Sequence, residues 1–227
     1  IAMWSGPRNL STALMRSFEN RCDCYVSDEP FYAYYLNKSG EKHFLYSEIL
    51  KAYDINPDVI IRYITGPIPN NKNIWYQKHM IHHNIDINRS WIKKMNNCIL
   101  IRDPKEVIIS YSKKNNLHSS EQLGYPQQLK FYQLLIEREI QLPIIIDSSD
   151  LISNPKYILS KLCKKLNIDF SDRMLSWPKG VRDTDGIWGK YWYKKVIEST
   201  EFINSKKYNI LIDSKYNFIL DECIEIY

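Results

Sequence analysis

The 227-residue chain has no run approaching ~20 uncharged apolar residues, which excludes a membrane-spanning helix. It does not open with a basic stretch followed by an apolar one, so no secretory leader is read there. Nor does it begin with methionine: Ile1-Ala2-Met3-Trp4 starts directly as an apolar run, and a few residues are expected ahead of it. Glycine is scarce (7) and the 10 prolines are scattered, so no flexible linker divides the sequence. Without repeats or low-complexity tracts, residues 1–227 are expected to form a single domain, the tail after about Glu201 having no assigned role. A marked surplus of one charge is missing too. Lys and Arg number 31 against 26 Asp and Glu, leaving +5 with no basic tract of the kind that holds nucleic acid. The five cysteines are odd in number, and Cys98 and Cys163 lie inside apolar patterns as buried thiols do. A reducing, cytoplasmic setting is therefore expected rather than a disulfide framework. Apolar residues at 44 % and charged residues at 25 % exclude intrinsic disorder. What remains is an enzyme-sized domain with neither nucleic acid nor membrane as partner; its oligomeric state is not written in these features.

Short apolar runs alternate with helical periodicity. Ile1–Trp4, Tyr25–Ser27, Ile74–Tyr76, Cys98–Ile101 and Ile144–Ile146 read as strands, the last two all-apolar as in a sheet covered on both faces. Leu10, Ala13, Leu14, Ser17 and Phe18 mark one face of a helix after the first run. Asp103-Pro104-Lys105-Glu106 reads as N-cap, N1 proline and capping-box glutamate of another. Asp150 is a candidate cap for a short turn, and Pro155 starts a helix with Ile158, Leu159, Leu162, Cys163 and Leu166 on one side. Strand and helix alternating at this spacing predict an α/β fold of three layers about a parallel sheet. Ligands of such sheets bind outside the carboxyl ends of the strands. The informative residues follow the apolar runs.

After the first run comes Ser5-Gly6-Pro7-Arg8-Asn9-Leu10-Ser11-Thr12, with a helix beginning inside it. Unpaired backbone N–H groups at a helix start receive an oxyanion, and Arg8, Ser11 and Thr12 add donors. A phosphate loop of the G-x-x-x-x-G-K-[ST] type needs a second glycine and a lysine directly before the hydroxyl residue. Leu10 stands there instead, which counts against a nucleotide-dependent kinase. Arg102 ends the fourth run, and Ser110 lies nearly two helical turns beyond, ~10 Å along the axis, within reach of a shared phosphate.

Pro7-Arg8-Asn9-Leu10-Ser11-Thr12 resembles the 5′-phosphosulfate loop of the sulfotransferases, P-[RK]-S-G-[ST]-T, with Asn9 for Ser and Leu10 for Gly. Arg102-Asp103-Pro104 with Ser110 resembles their 3′-phosphate motif, and Asp150-Leu151 with Pro155 their E-D-L…P segment. Trp177-Pro178-Lys179-Gly180-Val181-Arg182 is similar to their late R-K-G loop, with Pro178 for the arginine. The motifs stand in family order from Ile1 to about Arg182. W-S-G-P-R-N-L-S-T, D-E-P, Y-Q-K-H-M-x-H-H and D-G-x-W together look like a bacterial sulfotransferase-like subgroup. The resemblance implies a P-loop-like fold and 3′-phosphoadenosine 5′-phosphosulfate as donor to a small-molecule acceptor. It assigns Arg8, Asn9, Leu10, Ser11 and Thr12 to the 5′ end of that nucleotide. Arg102 and Ser110 fall to its 3′-phosphate, helped by Lys179, Gly180 and Arg182.

Sulfuryl transfer needs an in-line acceptor, a base and charge stabilisation at the leaving oxygen. A sulfonate carries less charge than a γ-phosphate, so side chains can replace a metal and none is expected. Two bases are open. Glu29 follows the second strand, where some sulfotransferases carry a catalytic glutamate. His79, in Lys78-His79 after the third strand, lies near the histidine of a K-x-H motif and titrates near neutrality without tuning. His79, His82 and His83 lack the carboxylate of an H-E-x-x-H zinc site, so packing or substrate contact is the expectation for His82 and His83. Phe31, Tyr32, Tyr34, Tyr35 and the aromatics of residues 188–193 are candidates to line an acceptor pocket or to pack. Two other readings stay open: a metal-dependent P-loop kinase and a nucleotide-binding module without catalysis.

Overall fold

The computed structural model describes residues 1–138, 140, 142–202 and 211–227. Five strands, β1 (Ala2–Ser5), β2 (Cys24–Asp28), β3 (Ile74–Met80), β4 (Asn97–Ile101) and β5 (Ile144–Asp147), form one all-parallel sheet in the order β2-β3-β1-β4-β5. All five apolar runs lie in it. The helices, in chain order, are α1 (Ser11–Glu19), α2 (Tyr32–Ser39), α3 (Tyr46–Ala52), α4 (Pro57–Ile64), α5 (Pro104–Ser112), α6 (Tyr125–Glu137), α7 (Ser148–Ser153), α8 (Pro155–Lys165), α9 (Gly189–Trp192), α10 (Lys194–Ile197) and α11 (Asn217–Ile226). No helix among the described residues is long and apolar enough to cross a membrane.

Side-chain alternation along the strands builds two cores. Met3, Tyr76, Cys98 and Leu100 face Leu14 and Phe18 of α1 and Leu159, Leu162 and Cys163 of α8. Ala2, Trp4 and Ile99 point the other way, against Ile60 and Ile64 of α4 and Phe131 and Leu135 of α6. Each fully buried Leu, Ile, Met or Phe among them contributes about 1.5–3 kcal/mol of apolar transfer free energy. The expectation of cover on both faces holds for β4. It fails for β5, an edge strand whose Ile145 is 50 % exposed. All five cysteines are free thiols, Cys98 and Cys163 among the buried ones.

Helix starts follow their caps. Asp103 accepts from Lys105 N at 2.8 Å with Pro104 at N1, but Glu106, expected to close a capping box, turns to Arg102 instead. Asp147, not Asp150, caps α7 by accepting from Ser149 N. Asn154 caps α8 ahead of Pro155.

The connection from β1 to α1 is pressed against the turn that precedes α6. A Cβ on Gly6 would stand 2.2 Å from the carbonyl oxygen of Leu123. We expect Gly6→Ala to overpack this contact and destabilise the fold by about 1–3 kcal/mol, read as a lower urea midpoint with the slope unchanged.

Candidate functional site

A cleft of about 1310 Å³ opens where all five strands end. Residues 7–13 border it after β1, Glu29, Tyr32 and Tyr35 after β2, and residues 80–85 after β3. Arg102 with α5 follows β4, and Ile152 follows β5. This is the position that the parallel-sheet rule predicts.

The first wall is the turn of residues 6–10. Arg8 and Leu10 both adopt left-handed backbone, φ 66° and 63°, a conformation that nonglycine residues hold only when their surroundings enforce it. Three bonds enforce it here. Asn9 Nδ2 donates to Leu100 O (3.1 Å), Ser148 Oγ donates to Asn9 O (2.9 Å), and Arg102 Nη1 donates to Arg8 O (2.7 Å). The Asn9 side chain is buried at the edge of the cleft, with Nδ2 bonded inward to Leu100 O and Oδ1 without a partner among the described residues. Leu10 occupies the N-cap position of α1 without a side-chain cap, so the opening amides and the Ser11 and Thr12 hydroxyls border the cleft.

Arg8 Nε donates to Ser110 Oγ at 2.9 Å. Ser110 thus faces the cleft as predicted, with Arg8 as its direct partner. Arg102 lies alongside, its guanidinium held by Glu106 Oε2 through Nε (2.9 Å) and Nη2 (2.8 Å). Burial, and then the positive charge of Arg102, lowers the Arg8 pKa from its usual value. Lys113 and Lys114 continue this wall from the end of α5, and Lys194 and Lys195 of α10 complete it opposite. Desolvation and the charges of Arg8, Lys194 and Lys195 lower the Lys114 pKa, which puts these cations in one electrostatic neighbourhood. Among the described residues none of these four lysines is in an ion pair. Such a concentration of unneutralised positive charge favours a polyanion.

The loop of Lys179, Gly180 and Arg182 is not brought to the cleft. Arg182 is held at the far end of α1 by Glu19 (3.5 Å) and the Pro178 carbonyl (2.5 Å). Gly180 N donates to Ile197 O, so this loop buttresses α10, whose Lys194 and Lys195 border the cleft. The adjacency of two lysines to the aromatic segment 191–193 was the signal available for them.

The second wall carries a buried charge network. Lys78 Nζ donates to Asp28 Oδ1 (2.8 Å), Glu29 Oε1 (2.5 Å) and Tyr193 Oη (2.7 Å). Trp188 Nε1 donates to the same tyrosine oxygen, and Gly186 N donates to Asp28 Oδ2. Burial drives the Lys78 pKa down, but the two carboxylates outweigh it and the net direction is up. One lysine cannot neutralise two buried carboxylates, so desolvation raises the Glu29 pKa.

His79 is absent from this constellation. The third strand runs on to Met80, so Lys78 and His79 sit inside it and point to opposite faces. Lys78 shares the side of Tyr76. His79 stacks on Trp4 (4.4 Å between centroids) and contacts Gln77 Oε1 through Nε2 (3.2 Å). Burial lowers its pKa to about 3, which keeps it neutral and core-packed. His83, just past the strand, has Nδ1 4.0 Å from Glu29 Oε2 and stacks between Tyr32 and Tyr35. Two histidines directly after an apolar run were its only sequence signal. Tyr32, Tyr35 and Trp192 line the cleft, whereas Phe31 and Tyr34 pack in the core.

Residues 1–216 match the family described as "Sulfotransferase domain", and the chain belongs to that family. It is similar in fold to the sulfotransferase domain of the Synechococcus PCC 7002 olefin synthase, with TM-score 0.61, 14 % identity, and coverage of 99 % of this chain and 91 % of that one. The sulfotransferase domain from the curacin biosynthetic pathway also superposes, with TM-score 0.54 and 16 % identity over 97 % of this chain and 95 % of that one. Two Arabidopsis thaliana proteins named branched-chain-amino-acid aminotransferase-like protein 1 and 2 are 32 % and 31 % identical over the whole chain. The chain spans 40 % of the length of each.

Breaking the Lys78 network tests its weight. Lys78→Met strands two carboxylates that are at most 10 % exposed, and an unfolding loss of about 3–5 kcal/mol is expected at neutral pH. Because protonation relieves the stranded acids, the deficit should shrink as pH falls, a trend measurable by urea denaturation at several pH values.

Proposed function

We propose that the chain transfers a sulfuryl group from 3′-phosphoadenosine 5′-phosphosulfate to a hydroxyl or amine of a small-molecule acceptor, with no metal. The observation that carries this reading is that Arg8 and Arg102 border one cleft, with Ser110 bonded to Arg8 at 2.9 Å. The turn amides, Arg8, Ser11 and Thr12 hold the 5′ end, where the backbone N–H groups of α1 meet negative charge. Arg102 and Ser110, with Lys113, Lys114, Lys194 and Lys195 around them, take the 3′-phosphate. The residues fit the donor: the four lysines are in no ion pair among the described residues, Arg102 is paired with Glu106, and Ser11 and Thr12 border the same space.

Glu29 takes the acceptor proton. Its raised pKa suits it to hold that proton, and Lys78 keeps its carboxylate in place. Arg8 and the turn amides stabilise the charge that develops on the leaving phosphate oxygen. Residues 1–227 act as one domain in this reading, and five free thiols suit a reducing, cytoplasmic compartment.

Calorimetry without added metal provides the test. Adenosine 3′,5′-bisphosphate is expected to bind at least tenfold more tightly than AMP. Arg102→Ala should cost about 1.5–3 kcal/mol of bisphosphate affinity and level the two ligands, as for a lost charge-assisted contact. Equal affinities in the wild type, or turnover of ATP that depends on magnesium, would overturn the reading. Glu29→Gln should leave nucleotide binding intact and abolish transfer. In the wild type, kcat/KM should fall on the acid side, beginning above the titration range of an ordinary glutamate at about 4.3.

A further inference from the structure

The wall of the cleft beyond Glu29 carries four buried polar atoms with no hydrogen-bond partner among the described residues: His82 Nδ1, His83 Nδ1, Asn84 Oδ1 and Asn84 Nδ2. They belong to three consecutive residues that border the cleft directly after β3. Unmatched buried groups of this kind are costly, and a native fold rarely collects four of them together unless something pairs with them. Neither face of the surrounding rings offers relief. Tyr32 and Tyr35 are stacked on His83 at 5.0 and 4.6 Å, and the Tyr32 hydroxyl is paired with His43 Nδ1 at 2.7 Å.

The chemistry of the four atoms selects among acceptor classes. The amide of Asn84 presents two donor hydrogens and one acceptor oxygen. Burial holds both imidazoles neutral, His82 at a pKa of about 4 and His83 well below its usual value, so each combines one N–H with one lone pair. An anion would satisfy the donors only, facing Asn84 Oδ1 and the carboxylates of Glu29 and Glu41. An ammonium would satisfy the acceptors only, leaving the N–H groups of Asn84 and of both imidazoles unmatched. A phenol or simple alcohol has one hydroxyl and leaves most of the group unmatched. Vicinal hydroxyls each donate and accept, and several of them are needed here.

We propose that the acceptor is a polyhydroxylated molecule, a sugar or cyclitol, recognised through His82, His83 and Asn84. This rests on the sulfuryl-transfer reading of the same cleft. One hydroxyl of the acceptor lies at Glu29 while its neighbours occupy the three-residue segment; the 4.0 Å between His83 Nδ1 and Glu29 Oε2 is the spacing at which one hydroxyl bridges both. In the transfer an O–S bond forms to that hydroxyl oxygen, the bond from sulfur to the phosphate oxygen breaks, and the hydroxyl proton passes to Glu29.

Saturation-transfer NMR on the full chain, with adenosine 3′,5′-bisphosphate present, tests the assignment against glucose, trehalose and myo-inositol, with phenol, 1-hexanol and hexylamine as comparators. At least one sugar or cyclitol should bind in preference to all three comparators. Asn84→Leu should weaken that ligand by about tenfold, the loss of two ordinary hydrogen bonds. Asn84→Asp, which keeps an acceptor and loses the donor, should fall between. A purely structural amide would lower the melting temperature of the ligand-free protein when replaced; removing an unmatched amide should instead hold or raise it. Preference for phenol, hexanol or hexylamine overturns the proposal, as does the absence of signal from every polyol or a melting temperature that drops in Asn84→Leu. Calorimetry with the bisphosphate alone reports separately on the donor: its failure removes the sulfuryl-transfer reading, whereas bisphosphate binding without polyol binding removes only this one.

Discussion

The turn between β1 and α1 is held from outside itself, and the cleft depends on that restraint. Its backbone takes left-handed conformations at Arg8 and Leu10 that no glycine is present to ease. The compensation comes from β4 and from the residues that follow β4 and β5, through Asn9 to Leu100, Ser148 to Asn9 and Arg102 to Arg8. Because these partners lie on β4 or follow β4 and β5, the turn is braced only where β1, β4 and β5 are in register. A site assembled this way is a product of tertiary structure, not of a local loop motif. At the two positions that depart from the sulfotransferase pattern, Asn9 bonds inward to Leu100 and Leu10 takes the N-cap of α1.

The acid wall is set by a different rule, the two-residue period of a strand. Placing Lys78 on one face obliges His79 to face the other, so only one of two adjacent polar residues can reach the cleft. The lysine then holds two carboxylates and a tyrosine hydroxyl, and Trp188 and Gly186 anchor the same cluster from the segment before α9. Arg8, Arg102, Lys113 and Lys114 follow β1 and β4 beside Asp103 and Glu106, whereas Glu29, Glu41 and the neutral imidazoles of His82 and His83 follow β2 and β3.

Much of this was legible in the residues. The five apolar runs located every strand of the sheet, and Asp103-Pro104 marked the start of α5 because a cap and an N1 proline are local signals. Arg8, Ser11, Thr12, Arg102 and Glu29, singled out because they follow strand ends, and Ser110, singled out by its spacing from Arg102, all border the cleft. His79 was misplaced because the polar residues Gln77 and Lys78 masked the continuation of β3, and strand length is decided by pairing with β1 and β2, not by hydropathy. The Lys179 loop was misplaced for a related reason: its hydrogen bond to Ile197 and its ion pair with Glu19 are long-range contacts that no spacing encodes. Lys194 and Lys195 border the cleft from a helix of four residues, too short to show a period.

The pairing of Arg102 with Glu106 has a consequence for any charged visitor. The guanidinium is not vacant when such a molecule arrives; it already has a resident carboxylate on two of its nitrogens. Association at that point is an exchange of one anion for another, and its free energy is the difference between two attractions, not the whole of one. An anion bound there is therefore held less tightly than the bare charge of the guanidinium would suggest.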